Sequence, residues 1–193
     1  GKARVPQEIN NDDPTGWHAQ KRSTLAAGLL FTAPGIPMIF QGQEFLQGEW
    51  FRDNVPLDWH MNEEYHGVAR MYRDLIWLRL NRDGVSRGLC GQNVAVTHVN
   101  DQQNLIAFQR WDQHGDGDDV MVIANCGYEV KEGYRIGMPQ SGEWKLRFNS
   151  DASIYSDDFQ NILSTHLTAT DEAQDGLPAS AEVTIAPYSV LIY

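Results

Sequence analysis

Residues 35–51 read GIPMIFQGQEFLQGEWF. A short apolar run, 36–40, gives way at once to Gln, Glu and Trp with no period. Breakers flank the run, and a continuous apolar stretch of this length predicts a strand buried on both faces, as in parallel sheets. Upstream, 17–31 is made mostly of good helix formers. Leu25, Ala26, Leu29 and Leu30 form one stripe, with Lys21 and Arg22 outside it. Asp13 and Pro14 predict its cap and first position, and 33–35 its stop. Downstream, Asn62 predicts the cap of a second helix, with Glu63 and Glu64 near its positive end. Tyr65, Val68, Ala69, Tyr72, Leu75 and Ile76 set a stripe of period near 3.6, and NRDG at 81–84 ends it. Helix, buried strand, helix is an α/β pattern. Residues 1–12 read as loop, and 41–62 as a long irregular segment of the kind that often carries function.

Near residue 85 the pattern changes to alternation broken by turn residues. Strands are predicted at 92–99, 104–111, 119–125, 129–136, 143–149, 182–186 and 188–193, joined by VNDQQN, DQHGDGDD and PQSGEW. A polar excursion over 150–180 carries at most short strands. Such a series predicts an antiparallel β-sandwich. The division expected is 1–84 and 85–193. The second part can stand alone. The first cannot, because one strand and two helices leave unpaired edges and an open apolar face. It must pack on the β region, on a second copy as a dimer covering 36–40, or on the rest of a barrel.

Composition narrows the partners. Among 193 residues, 15 Lys and Arg stand against 26 Asp and Glu, a formal net charge of −11. That surface repels phosphate backbones, so no nucleic-acid partner is expected, and it disfavours anionic membranes. No apolar stretch is long enough to span a bilayer, and no signal peptide is visible. Cys90 and Cys126 are too far apart for a disulfide framework or a metal spacing; reduced, at least half-buried thiols in a cytoplasmic protein are expected. No metal motif and no cofactor motif is found.

The segments together resemble a known family. GIPMIFQGQEF, GEWFRDNVPLDWH and HGVARMYRDLIWL are similar to the last strand, following loop and last helix of the barrel of the alpha-amylase superfamily (glycoside hydrolase family 13). IAFQRW, VMVIANC, GEWKLRFNSD and TIAPYSVLIY resemble the C-terminal all-β domain of its 1,4-alpha-glucan branching enzymes. The fold implied is α+β: the last units of a (β/α)8 barrel, with two main helices and one short strand, followed by an antiparallel sandwich. GKARVP at the start resembles the segment just after the family's His-Asp motif at the seventh strand.

The resemblance implies cleavage of alpha-1,4 glucan and transfer of the chain to form alpha-1,6 branches. An amylase, a trehalose-forming hydrolase and a free-standing carbohydrate-binding module are the alternatives. A retaining mechanism needs two carboxyls about 5–5.5 Å apart. In the family these, and a third carboxylate, come after earlier barrel strands, so no catalytic residue can be assigned here and the isolated chain is expected to be inactive. The α-glucan would be held mainly by the barrel.

Four residues are candidates for substrate contact: Glu44 and Gln43 beyond the apolar run, Trp50 in the loop, and Arg4 beside the place where the family's transition-state aspartate lies. Each has a structural alternative. Glu44 could pair with an arginine or cap amides. Trp50, Phe51 and Trp59 could anchor the loop. Arg4 and Lys2 could be solvated charges. The acidic 112–119 stretch does not match a calcium loop and reads as a hairpin tip. Adjacent Glu63 and Glu64 point apart on a helix. Trp111 and Trp144 read as packing residues or part of a surface glucan site.

Overall fold

A computed structural model of the chain describes residues 3–115 and 117–193; Lys2 and Asp116 lie outside them. The fold is organised by VMVIAN, strand β3 (Val120–Asn125), which is buried at all six positions. Alternate residues of a strand face opposite sides, and both sides of β3 are covered. Met121 and Ile123 enter one apolar cluster. Val120, Val122 and Ala124 enter the other.

β3 is the centre of a five-stranded antiparallel sheet ordered β1-β2-β3-β9-β6. Its members are β1 (Asn93–Asn100), β2 (Leu105–Trp111), β6 (Phe148–Asn149) and β9 (Ser189–Ile192). The first cluster is closed by β4 (Lys131–Met138) paired with β8 (Ala179–Ile185), and by β5 (Gly142–Trp144) paired with β7 (Leu167–Ala169). This is the sandwich expected from the alternation. The expected strand 143–149 divides into β5 and β6, which pair with different partners.

The other face of the sheet carries helices. α2 (Trp17–Thr32) and α4 (His66–Arg79) bury Leu25, Phe31, Val68, Met71 and Leu75 against Phe108, Val122, Val190 and Ile192. α2 lies so close to β9 that a Cβ on Gly28 would sit 2.1 Å from Val190 Cγ1. At the start of α4, a Cβ on Gly67 would meet the Tyr155 carbonyl at 2.2 Å. The front of the chain thus packs on the β region through a continuous apolar layer, and the chain is α+β with helices segregated to one face.

Several local expectations are corrected. Residues 36–40 form no strand among the described residues. Ile36 is 98% and Met38 77% exposed, because no neighbouring strand is there to pair with them. Residues 1–12 contain a short helix, α1 (Val5–Ile9), started by Pro6. α2 begins at Trp17 behind Gly16, not at an Asp13 cap, because residues 13–16 close a turn through Gly16 N–H to Asp13 O at 3.3 Å. Asn62 lies inside α3 (Trp59–Glu64), which is capped by Asp58 accepting from His60 N–H at 3.1 Å. Lys21 is buried, not outside the stripe, and Ala26 is exposed. Both cysteines are free and exposed.

One polar cluster bridges the two layers of the sandwich. A bulge between Val96 and His98 turns His98 inward. Its Nδ1 lies 3.0 Å from Asp175 Oδ1 and its Nε2 2.8 Å from the Tyr134 hydroxyl, which accepts from Asn100 Nδ2 at 2.8 Å. No helix of the described residues is long and apolar enough to cross a membrane.

Candidate functional site

The 41–59 loop is folded by its own turns and by one arginine. Gly42 at φ 85° and Leu46 at φ 61° bracket a single 3-10 turn, Gln43–Phe45. The left-handed φ suits Gly42; Leu46 holds it at a cost, kept by full burial of its side chain. Arg4 reaches in from the chain start. Its Nε donates to Gln41 O at 3.0 Å, and its Nη1 to Gly48 O at 2.9 Å, with Glu49 O and Trp50 O at 3.4 Å. Its backbone N–H donates to Glu49 O at 2.9 Å, and its guanidinium lies 5.2 Å from the Phe40 ring centre. Arg4 is therefore buried and committed to loop carbonyls, neither a solvated charge nor an open cleft cation.

Gln43 is buried, and it staples the same turn: its N–H donates to Phe40 O at 2.9 Å and its Oε1 accepts from Phe40 N–H at 3.4 Å. The aromatics face outward. Trp50 is 53% and Trp59 64% exposed. Phe51 meets Phe40 edge-on at 5.9 Å, and Trp59 tilts over buried Phe45 at 5.5 Å. The segment 36–40 that precedes the loop adds exposed Ile36 and Met38. An apolar cleft of about 510 Å³ beside it is lined by Phe31, Ile36, Ile39, Ile76, Leu80 and Cys90, among others. Exposed apolar surface on this scale marks a binding or packing face.

Glu44 stands on the 3-10 turn, half-buried. Among the described residues its Oε2 is buried without a hydrogen-bond partner, so the expected arginine pair or amide cap is not formed there. The Tyr72 hydroxyl on α4 is orphaned in the same way. Burial, and less strongly the Glu44 carboxylate, pushes the Tyr72 phenol well above its ordinary range, with the Gln43 side chain drawing it back.

Upstream of the loop, the end of α2 is anchored to the body by residues that periodicity does not reveal. Arg79 Nη1 donates to Ala33 O at 2.8 Å and Nη2 to Gly35 O at 2.5 Å. Arg110, fully buried in β2, donates to the carbonyls of Thr32, Gly91 and Asn93. Burial, helped by neighbouring Arg79, lowers the Arg110 pKa to about 10. Between them the two arginines take up the free carbonyls at the end of α2, the negative end of the helix. Their signal in the sequence was weak, since an arginine in a strand reads as an outward-facing residue.

The structure also places the other candidates. Trp144 is buried, donating from Nε1 to Gln140 O at 3.1 Å. Trp111 stacks on His114 at 4.9 Å. In the acidic hairpin, Asp118 accepts from the backbone N–H groups of Asp112 and Gln113. Among the described residues no group of three or more His, Cys, Asp or Glu is placed to hold a metal. Glu63 and Glu64 are exposed.

Known proteins share this architecture. The family described as "Alpha amylase, C-terminal all-beta domain" matches residues 96–193. The 1,4-alpha-glucan branching enzyme GlgB of Pseudomonas putida is 32% identical over 188 residues, 94% of this chain and 25% of that protein. GlgB of Shewanella sp. strain W3-18-1 is 32% identical over 199 residues, 100% of this chain and 26% of that protein. The chain thus spans about a quarter of the length of the curated relatives it matches. The crystal structure of the debranching enzyme from Nostoc punctiforme superposes with a TM-score of 0.62 over 98% of this chain and 33% of that one, at 20% identity, a likeness of fold. The chain belongs to the family of the alpha amylase C-terminal all-beta domain.

Proposed function

We propose that the chain is the C-terminal part of a family 13 enzyme of the 1,4-alpha-glucan branching type, working in the cytoplasm on glycogen-like glucan. In this reading residues 1–84 complete the barrel, 85–193 buttress it, and the catalytic carboxylates belong to a preceding segment. The observation that carries it is the alignment of essentially the whole chain with a quarter of branching enzymes at 32% identity. The apolar 36–40 segment supports it: Ile36 and Met38, exposed here, are chemically suited to the interior of a parallel sheet. The chain's own contribution to glucan binding is the outward edge of the 41–59 loop. Trp50 offers a flat apolar face to a sugar ring, Glu44 an acceptor for its hydroxyls, and Gln43 and Arg4 hold the turn that carries both.

The test is to read the gene upstream of the Gly1 codon and express the extended product on amylose. A barrel bearing three cleft carboxylates, with new alpha-1,6 branches and a falling iodine stain, is expected. Release of maltooligosaccharides or trehalose without branching would assign a hydrolase instead. A start codon immediately before the Gly1 codon would overturn the reading.

A further inference from the structure

We propose that Trp77, Asp74, Asp83 and Arg147 form a second α-glucan site, where α4 meets the β6 edge of the sheet, sharing no residue with the 41–59 loop. The proposal rests on the α-glucan reading of the chain. A pocket of about 200 Å³ opens there. Buried Phe148 and Tyr155 and half-buried Leu78 give it apolar lining, and Asp74, Trp77, Asp83 and Arg147 supply the rest. Trp77 stands outside the buried stripe of α4, which runs through Val68, Met71, Tyr72 and Leu75, and it is 50% exposed. Among the described residues its ring meets no other ring and no cation, and its indole N–H has no acceptor. A large apolar ring with a free polar tip is suited to a contact that is half dry and half wet.

The polar groups decide the ligand class. Asp74 lies three residues before Trp77, on the same face of α4. The Tyr155 hydroxyl donates to Asp74 Oδ2 at 3.0 Å, which fixes that carboxylate to the pocket wall. Arg70 Nε and Arg73 Nε lie 3.8 and 3.7 Å from its oxygens. The side chains of Asp83, in the turn after α4, and of Arg147, just before β6, make no hydrogen bond or ion pair among the described residues. The pocket therefore carries unused charges of both signs. An anion would meet Asp74 and Asp83, and a cation would meet Arg147. A neutral hydroxyl suits all of them, because it donates to a carboxylate and accepts from a guanidinium or an indole N–H. The indole face matches the apolar face of a pyranose ring, and a few polar groups beside an apolar wall orient a small ligand. The pocket is small, so it takes one sugar unit of a longer chain.

The test reads retardation on native gels containing amylopectin, or a soluble mixed-linkage β-glucan, together with the thermal midpoint. Wild type is compared with a chain carrying Trp50→Ala, which removes the aromatic contact of the loop. Both are expected to be retarded by amylopectin and not by the β-glucan. Adding Trp77→Ala to the Trp50→Ala chain weakens retention roughly tenfold, as loss of one aromatic anchor does. Trp77→Tyr, which keeps a flat ring, retains most of it. Arg147→Met weakens it roughly tenfold through the lost donors, and it carries the test if Trp77→Ala lowers the midpoint. Tyr128→Ala removes another exposed aromatic, outside the pocket, and leaves retention unchanged. Retention kept by Trp77→Ala, or equal retention in the β-glucan, would overturn the site. Retention lost entirely with Trp50→Ala would overturn it and leave the loop as the glucan contact. No retention of wild type would overturn both glucan contacts, whereas the branching-type reading is decided separately by the products of the extended enzyme.

Discussion

Lys21 Nζ lies 2.5 Å from Asp151 Oδ1, and both side chains are shut away from water, at 0% and 1% exposure. The pair joins α2 to the start of the 150–166 excursion, 130 residues away. Asp151 is satisfied further by Ile162 N–H at 2.8 Å, and the ammonium also lies 4.8 Å from the Phe159 ring centre. Burial lowers the Lys21 pKa, and Asp151 draws it back up. Removing one member of such a pair strands the other charge. Lys21→Met is expected to cost about 3–5 kcal/mol, read from urea unfolding. Adding Asp151→Asn should recover a large part of it, since an uncharged amide can still accept from Ile162. If the single variant loses under about 1 kcal/mol, the pair is not closed in solution.

The end of α2 depends on the planar fork of arginine. Arg79 serves the carbonyls of Phe31, Ala33 and Gly35 at once. A lysine ammonium keeps the charge but cannot span three acceptors in one plane. Arg79→Lys should therefore cost about 1–3 kcal/mol, and hydrogen exchange at residues 31–40 should quicken relative to β3. Unchanged protection there would refute the role.

Alkaline unfolding should report the buried phenols. Tyr72, Tyr155 and Tyr193 are all pushed above the ordinary value of 10.0, each chiefly by burial, and Tyr155 also by Asp74, to which its hydroxyl donates at 3.0 Å. A folded-state value raised above the unfolded one gives stability that is complete below the unfolded value and is lost as pH climbs toward the folded one. Stability should thus decline above about pH 10, and Tyr155→Phe should make the decline shallower. The check is the urea midpoint from pH 8 to 11. A variant with the same slope as wild type would show that Tyr155 does not contribute.

Gly28 is needed for the approach of helix to sheet. Gly28→Ala would place a methyl 2.1 Å from Val190 Cγ1, so α2 must lift or Val190 must turn. Overpacking of this kind costs about 1–3 kcal/mol. Val190→Ala in the same chain should return part of the loss, and failure of the pair to compensate would place the strain elsewhere.

Much of the β region was legible beforehand because its signals are local. Alternation in β1, β2 and β4, and turn residues between them, put those strands within two residues of their observed limits. The helix stripe Val68, Tyr72 and Leu75 was legible for the same reason. Glu44 and Trp50 could be singled out by type and by the irregular loop around them. That Glu44 carries a buried oxygen without a partner among the described residues, and that Arg4 is used up by carbonyls, could not be read, because each depends on which segments meet.

The apolar runs 36–40 and 120–125 show the division most sharply. Both are continuous and hydrophobic, and by sequence both qualify as strands covered on two faces. The chain's residues alone determined where strands and helices can form, their alternation, the acidic surface and the family likeness. Only the tertiary structure decided that 120–125 is covered on both sides and that Ile36 and Met38 face outward. It also decided that Lys21 and Arg110 are buried. The reason is physical: secondary structure arises from local torsions and period, whereas burial is a property of neighbours. A strand is covered only if other segments pair beside it and pack on its faces. A charge is buried only if an acceptor arrives to meet it, from residue 151 for Lys21 and from residues 32, 91 and 93 for Arg110.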